Sequence, residues 1–250
     1  MLEHIVRSHP GCIREKNEDS YYVFSAGGRS FFAVADGMGG HAAGEVASFL
    51  AIETLQKNVS RHLASLRQYS PAQMREFLAQ SMLEANENIR AKQLQKPEFK
   101  GMGTTFTVSV FFNDEFLTGH VGDSQVHLFT ASGHCQITED RSIVMELLKN
   151  KEIAPEEVYK HPQRNILTRA LGTSPSLEID FYGKTIKEKD YILLCTDGLT
   201  NMLRPDEIQE IIFRHVNLEE AADQLLARAN ALGGWDNITF VLIHCKKGES

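Results

Sequence analysis

The chain has 250 residues, of which 42% are hydrophobic and 24% are charged, and its formal net charge is -7 at pH 7. This composition is average for a soluble globular protein and disfavours disorder, collagen and coiled coil. The negative charge argues against a nucleic-acid-binding surface, which needs a basic field to bind phosphates. A chain of this length can bury one sizeable core, so we predict a single domain over residues 1–250.

Apolar stretches are far shorter than the roughly 20 residues of a membrane-spanning helix, and the N-terminus lacks a signal-peptide core. We therefore expect no membrane association and a cytoplasmic location. The four cysteines show no C-x-x-C spacing, so neither a zinc knuckle nor a disulfide scaffold is indicated.

The first part of the chain combines strands and long helices. Strand patterns cover Leu2–His9, Tyr21–Phe24 and Phe31–Ala35. Apolar residues at the helical period predict a helix from His41 onward, and Ser70 followed by Pro71 begins a second helix.

The remainder is mostly β structure. Strands are predicted at Thr104–Phe112, Glu115–Val121, Gln125–Ala131, His134–Thr138, Leu177–Ile186, Tyr191–Cys195 and Ile238–Cys245. A flap-like surface insertion is expected at about 141–175, and two helices at Pro205–Val216 and Leu218–Leu232. Because strand runs and helix runs are segregated, we predict an α+β layered fold.

Four aspartates lie where apolar runs meet glycine or a turn: Asp36, Asp123, Asp197 and Asp236. A carboxylate at the end of a buried strand is held rigidly. The glycine that follows Asp36 or Asp197 has no Cβ, so backbone and ligand can approach closely. A single Asp-Gly pair is usually a turn, but four such junctions together favour a metal site. Oxygen-only ligands favour magnesium or manganese over zinc.

Seven motifs along the chain are similar, in order, to those of the type 2C (PPM) metal-dependent serine/threonine protein phosphatases. They are REKNEDS, VADGMGGHAAGEVAS, GMGTTFT, GHVGDS, HPQRNILTRALGT, LLCTDGL and DNITFVLI. The chain resembles a stand-alone bacterial member. The resemblance implies a β-sandwich of two antiparallel sheets flanked by helix pairs, in four αββα layers.

The resemblance also implies which residues hold metal. It assigns two manganese or magnesium ions to Asp36, the Gly37 carbonyl, Asp197 and Asp236. Glu18 or Asp19 would reach these ions through bound water, and Asp123 would bind a third, weaker ion.

The implied reaction is hydrolysis of phosphoserine and phosphothreonine by direct attack of a bridging metal-bound hydroxide, opposing a cytoplasmic serine/threonine kinase. Arg14 would grip the substrate phosphate, because its planar fork can hold two phosphate oxygens. Arg14, Asp36 and Asp197 are thus the expected catalytic residues. The expected partners are phosphorylated proteins and a cognate kinase, with the chain itself a monomer.

The match departs from the family pattern at three positions. Met38 stands where some relatives carry a histidine proposed as general acid, which leaves nearby His41 as either a proton donor or a helix-start residue. Gln125 and Arg141 replace an arginine and a histidine that relatives often carry. These two changes bear on substrate preference and loop behaviour.

Two other functions compete with a protein phosphatase. One is a catalytically silent relative that senses phosphorylated partners, although no ligand aspartate is lost. The other is a phosphoesterase for small molecules or for a dedicated anti-sigma-type switch protein.

Overall fold

The computed structural model describes residues 2–39 and 43–246, without the side chain of Tyr159. One antiparallel sheet holds five strands in the order β1 (Leu2–His9), β11 (Ile238–Cys245), β10 (Tyr191–Cys195), β7 (Gln125–Thr130) and β8 (Gly133–Gln136). We call it the first sheet. The second sheet, also antiparallel, has the order β2 (Asp19–Ala26), β3 (Arg29–Met38), β5 (Phe106–Phe112), β6 (Glu115–Val121) and β9 (Asp180–Thr185), and β4 (Gly103–Thr104) pairs with the end of β3.

Helix pairs cover the outer faces of both sheets. The helices are α1 (Ala43–Leu66), α2 (Pro71–Gln95), α3 (Ile143–Lys149), α4 (Asp197–Thr200), α5 (Pro205–Arg214) and α6 (Leu218–Ala231). Two short 3-10 helices cover Pro97–Phe99 and Pro155–Lys160. One apolar core lies between α1, α2 and the second sheet, another between α5, α6 and the first sheet, and a third between the two sheets. The predicted α+β sandwich with flanking helix pairs is therefore confirmed.

Local sequence explains where the elements begin. At the start of α2, the Gln73 amide donates to the Ser70 hydroxyl (3.3 Å), and the Ser70 amide donates to the Gln73 side chain (2.9 Å). This capping box satisfies two amides that would otherwise lack partners. Strand β5 is buried at every residue because it has a helix layer on one side and the other sheet on the opposite side.

Several predicted strand boundaries are wrong, those of β2, β3, β8 and β9 among them. Strand β3 runs beyond Ala35 to Met38, since Asp36 pairs with Asp19 of β2 and the next two residues pair with β4. Asp36 therefore lies inside a strand and not after its end. The strand predicted from Leu177 is shorter and begins at Asp180, where pairing with β6 starts.

Residues 141–175, predicted as a flap-like insertion, lie between β8 and β9 and contain α3. Backbone bonds close the base of this segment, from the Thr168 amide to the Arg141 carbonyl (2.8 Å) and from the Ile143 amide to the Ile166 carbonyl (2.9 Å). Arg141 also donates to Asp180 of β9 (2.7 Å). Arg141, which stands where relatives often carry a histidine, therefore forms an ion pair that fixes the base of the segment to the second sheet.

None of the helices in the described ranges combines the length and apolar character needed to cross a membrane.

Two buried histidines, His120 and His127, are neutral in the folded protein. Burial lowers the pKa of each from 6.5 to about 4, because a charged ring is unfavourable away from water. The unfolded chain takes up protons on these rings below about pH 6.5. The contribution of these two neutral rings to the free energy of unfolding is therefore fully present above that pH and is lost as the pH falls towards 4.

We expect His127→Gln to remove one part of this pH dependence. Relative to the variant, the wild-type free energy of unfolding should fall by about 2 kcal/mol between about pH 7 and pH 5. Denaturant unfolding at both pH values, with manganese present throughout, measures this difference. The same pH dependence in both proteins would contradict the assignment.

Candidate metal and phosphate site

The predicted site residues converge on one open cavity of about 710 Å³. Seven of them line it: Arg14, Glu18, Asp36, Gly37, Asp123, Asp197 and Asp236. The eighth, Asp19, is buried behind the cavity wall, opposite Asp36 in the β2–β3 ladder. Residues far apart in the sequence are thus brought together where strands of both sheets end.

Strand pairing holds Asp36 in place from two sides. The Asp36 amide donates to the Thr105 hydroxyl (2.8 Å), and the Asp36 carbonyl accepts from the Thr104 hydroxyl (2.8 Å) and the Thr105 amide (2.9 Å). Sequence analysis did not identify Thr104 and Thr105 as supports of Asp36. Because these bonds engage the backbone amide and carbonyl of Asp36, its carboxylate group takes no part in holding the strand.

Asp197 is positioned by the start of α4, immediately after β10. Its Oδ2 atom accepts from Asn201 one turn later (3.0 Å). A Cβ on Gly198 would overlap the Asn237 carbonyl. Glycine at this position therefore allows α4 to pack closely against the loop that carries Asp236.

Close packing also explains Gly37, which lies in β3 and not in a turn. A Cβ there would overlap the carbonyls of Glu18 and Gly44. Only glycine therefore allows the backbone segments around Gly37 to pack this closely.

The carboxylates oppose one another electrostatically. Burial, followed by neighbouring carboxylates, raises the pKa of Asp36 and of Asp123 well above 3.8. Burial likewise raises the pKa of Asp19 to about 7, although the Thr196 hydroxyl donates to its Oδ2 atom (2.9 Å). Burial and Asp236 raise the pKa of Asp197. Among the described residues, the charges that act on Asp36 and Asp123 are those of other carboxylates, whereas Arg14 offsets part of the repulsion at Asp197.

Two buried oxygens, Asp19 Oδ1 and Asp197 Oδ1, have no hydrogen-bond partner. Such orphaned carboxylate oxygens and an all-oxygen donor set fit hard divalent cations. Across residues 2–39 and 43–246, no three histidine, cysteine, aspartate or glutamate side chains form a ready-made metal cluster. An ion would therefore complete its coordination with carbonyl oxygens and water, as magnesium commonly does.

Arg14 lies on the cavity wall and forms an ion pair with Asp236 (Nη2 to Oδ2, 3.0 Å). Its side chain is 56% exposed, so the rest of the guanidinium remains open to solvent. A cation next to a group of carboxylates is suited to receive an anion that a bound metal also attracts.

Asn237, which sequence analysis missed, fixes the loop that carries Arg14 and Glu18. Its Oδ1 atom accepts from the Glu18 amide (2.7 Å), and its Nδ2 group donates to the carbonyls of Lys16 (2.8 Å) and Pro10 (3.1 Å). The only sequence signal was its position directly after Asp236. One buried side chain thus couples the loop that carries Arg14 and Glu18 to the segment that carries Asp236.

The departures from the family pattern fall at or near this cavity. Met38 lines the cavity and has no proton to donate. His41 lies outside the described residues. Gln125 donates to Asp140 (2.7 Å) and bonds His127 (2.7 Å), and it lines a neighbouring cavity that also includes Asp123 and Asp197.

An open cavity lined by aspartates from both sheets of a four-layer αββα sandwich, with an arginine on its wall, is the arrangement of a metal-dependent phosphatase. Residues 13–233 match the family model for protein phosphatase 2C. The chain belongs to the protein phosphatase 2C family, as the sequence motifs predicted, and is an enzyme of that metal-dependent class.

Individual relatives are bacterial. The chain is 37% identical to the serine/threonine phosphatase stp of Listeria monocytogenes over 238 residues, covering 95% of this chain and 93% of that protein. The solved serine/threonine phosphatase of S. agalactiae superposes with a TM-score of 0.92 at 31% identity, covering 98% of this chain and 100% of the other. The catalytic domain of the phosphatase PstP, solved with two manganese ions, is 32% identical with a TM-score of 0.81, covering 98% and 99%.

Replacing Asn237 with alanine should release the Arg14 loop. Loss of three hydrogen bonds should lower the free energy of unfolding by about 2 to 3 kcal/mol. Amide exchange in residues 10–18 should become faster. Asn88→Ala, which removes one bond to Thr54 on the outer helices, is the control. Unchanged exchange in the Arg14 loop of Asn237→Ala would refute this role.

Metal binding can be followed by fluorescence, because the single tryptophan of the chain, Trp235, directly precedes Asp236. Paramagnetic manganese should quench this emission on titration. Asp36→Asn should weaken manganese affinity by at least about tenfold. Asp114→Asn, outside the cavity, should leave the affinity unchanged. Equal affinities for wild type and Asp36→Asn would contradict the metal assignment.

Proposed function

We propose that this protein hydrolyses phosphoserine and phosphothreonine in phosphoproteins with manganese or magnesium, and that it opposes a serine/threonine kinase in the cytoplasm. One observation carries the proposal. Aspartates from both sheets and the Arg14 guanidinium face the same open cavity.

The proposed ligands of two ions are Asp36, the Gly37 carbonyl, Asp197 and Asp236. Glu18 or Asp19 is proposed to reach these ions through bound water, and Asp123 is the proposed ligand of a third ion. When bound, such ions supply a nucleophilic water and neutralise charge on the phosphoryl group. Support comes from the orphaned oxygens of Asp19 and Asp197, which a cation would satisfy.

Arg14 is proposed to bind two phosphate oxygens and orient the ester. To do so, the guanidinium would use donors that the bond to Asp236 leaves free. A planar fork fits a tetrahedral phosphate better than the single ammonium of the neighbouring Lys16 does. Because Arg14 touches a carboxylate of the site, the phosphorus would lie close to the ligand set.

Direct hydrolysis is proposed without a covalent phosphoenzyme. Among the described residues that line the cavity, none is a cysteine, histidine or serine. The lining hydroxyl of Thr105 accepts from the Asp36 amide and bonds Ser124, so it is already engaged. With the aspartates engaged as metal ligands, as proposed, the nucleophile is water.

Phosphate release from a phosphothreonine peptide is the test. We expect turnover with manganese, none with a chelator, and a loss of at least about a thousandfold in Asp36→Asn, because a ligand charge is removed. The Asp114→Asn variant should match the wild type. Turnover that survives both the chelator and Asp36→Asn would overturn the proposal.

A further inference from the structure

Two large apolar side chains, Ile13 and Trp235, are exposed beside the cavity. Ile13 is 67% exposed and Trp235 is 56% exposed. Each directly precedes a residue of the cavity wall, namely Arg14 or Asp236. The two exposed residues are therefore the sequence neighbours of the two wall residues that form an ion pair (3.0 Å).

The segments that carry these side chains are joined to each other. The Cys12 amide donates to the Gly234 carbonyl (2.7 Å), and a Cβ on Gly11 would overlap the Asp236 carbonyl. The indole of Trp235 folds back over Gly233, where an added Cβ would overlap the ring. Ile13 and Trp235 thus stand on two backbone segments held together. We call this pair the apolar rim.

Single exposed apolar residues are ordinary and need no explanation. Val216, fully exposed between α5 and α6, is such a residue, because it neighbours no part of the cavity wall. The apolar rim differs from it in position. Both of its members adjoin the proposed phosphate site, and one is a tryptophan, the residue type most enriched at binding hot spots.

We propose that the apolar rim binds an apolar side chain of the phosphoprotein substrate, within about three residues of the phosphorylated one. This inference rests on the proposed function. A phosphate held by Arg14 obliges the flanking peptide to cross the edge of the cavity. The wall itself offers mostly charged and polar groups, including Glu15, Lys16 and Glu18. Met38 and Leu167 also line the cavity but are partly buried, whereas Ile13 and Trp235 are exposed next in sequence to Arg14 and Asp236.

Phosphothreonine peptides that differ at one position test the rim. The series carries a single leucine at each of the three positions on either side of phosphothreonine, against a peptide with alanine throughout. For the wild type with manganese, we expect kcat/KM to be at least about fivefold higher for the best leucine peptide, mainly through KM.

The leucine preference should fall below about twofold in Trp235→Ser and in Ile13→Ser. It should persist in Trp235→Phe, which keeps an aromatic ring, and in Val216→Ser, which removes an exposed apolar residue elsewhere. The preference is a ratio measured within each variant, so it is independent of changes in overall turnover. Ile13→Ser keeps the test decisive if Trp235→Ser fails to fold.

Different outcomes overturn different proposals. Peptide hydrolysis without any leucine preference in the wild type would overturn the apolar rim alone, as would a preference that survives in both serine variants. Absence of hydrolysis for every peptide, with para-nitrophenyl phosphate still cleaved, would overturn the proposed protein substrate and the rim together.

Discussion

Repulsion between carboxylates is the constraint on which the rest of this structure depends. The β2–β3 register sets Asp19 against Asp36, and burial together with neighbouring carboxylates raises the pKa of Asp36 well above 3.8. Such an arrangement is unfavourable without a cation. It persists because the backbone around Asp36 is fixed by Thr104 and Thr105. A divalent ion would turn this local cost into binding affinity.

The free energy that offsets this repulsion between carboxylates comes from burial of apolar side chains in other parts of the fold. Three apolar cores separate four layers, and strands such as β5 are covered on both sides. Apolar burial is the main favourable contribution to folding, and it is far larger than the cost of a few crowded carboxylates. The layers can therefore hold charged groups at the strand ends in a geometry that those groups would not adopt alone.

Short polar bridges connect the loops around the cavity. Asn237 ties the Arg14 loop to the strand that follows Asp236, and Arg141 ties residues 141–175 to the second sheet through Asp180. Each bridge joins residues that are distant in sequence, so the segments that carry Arg14, Asp236 and residues 141–175 are tied to the rest of the fold. The apolar rim lies on the segments that carry Arg14 and Asp236, which the bond from the Cys12 amide to the Gly234 carbonyl also joins.

The layered α+β class, the approximate positions of the elements and the four cavity aspartates follow from the sequence alone, because hydrophobic periodicity and aspartates at strand junctions are local patterns. Arg14, Glu18 and Asp19 are predicted from the family motifs. Sequence analysis misplaced the end of β3, since strand length there depends on pairing with Asp19 and with β4. Asn237, Thr104 and Thr105 acquire their roles only through contacts across the fold. Such contacts join residues that are distant in sequence, so they are seen only in the folded protein, as is the backbone bond between the segments that carry Ile13 and Trp235.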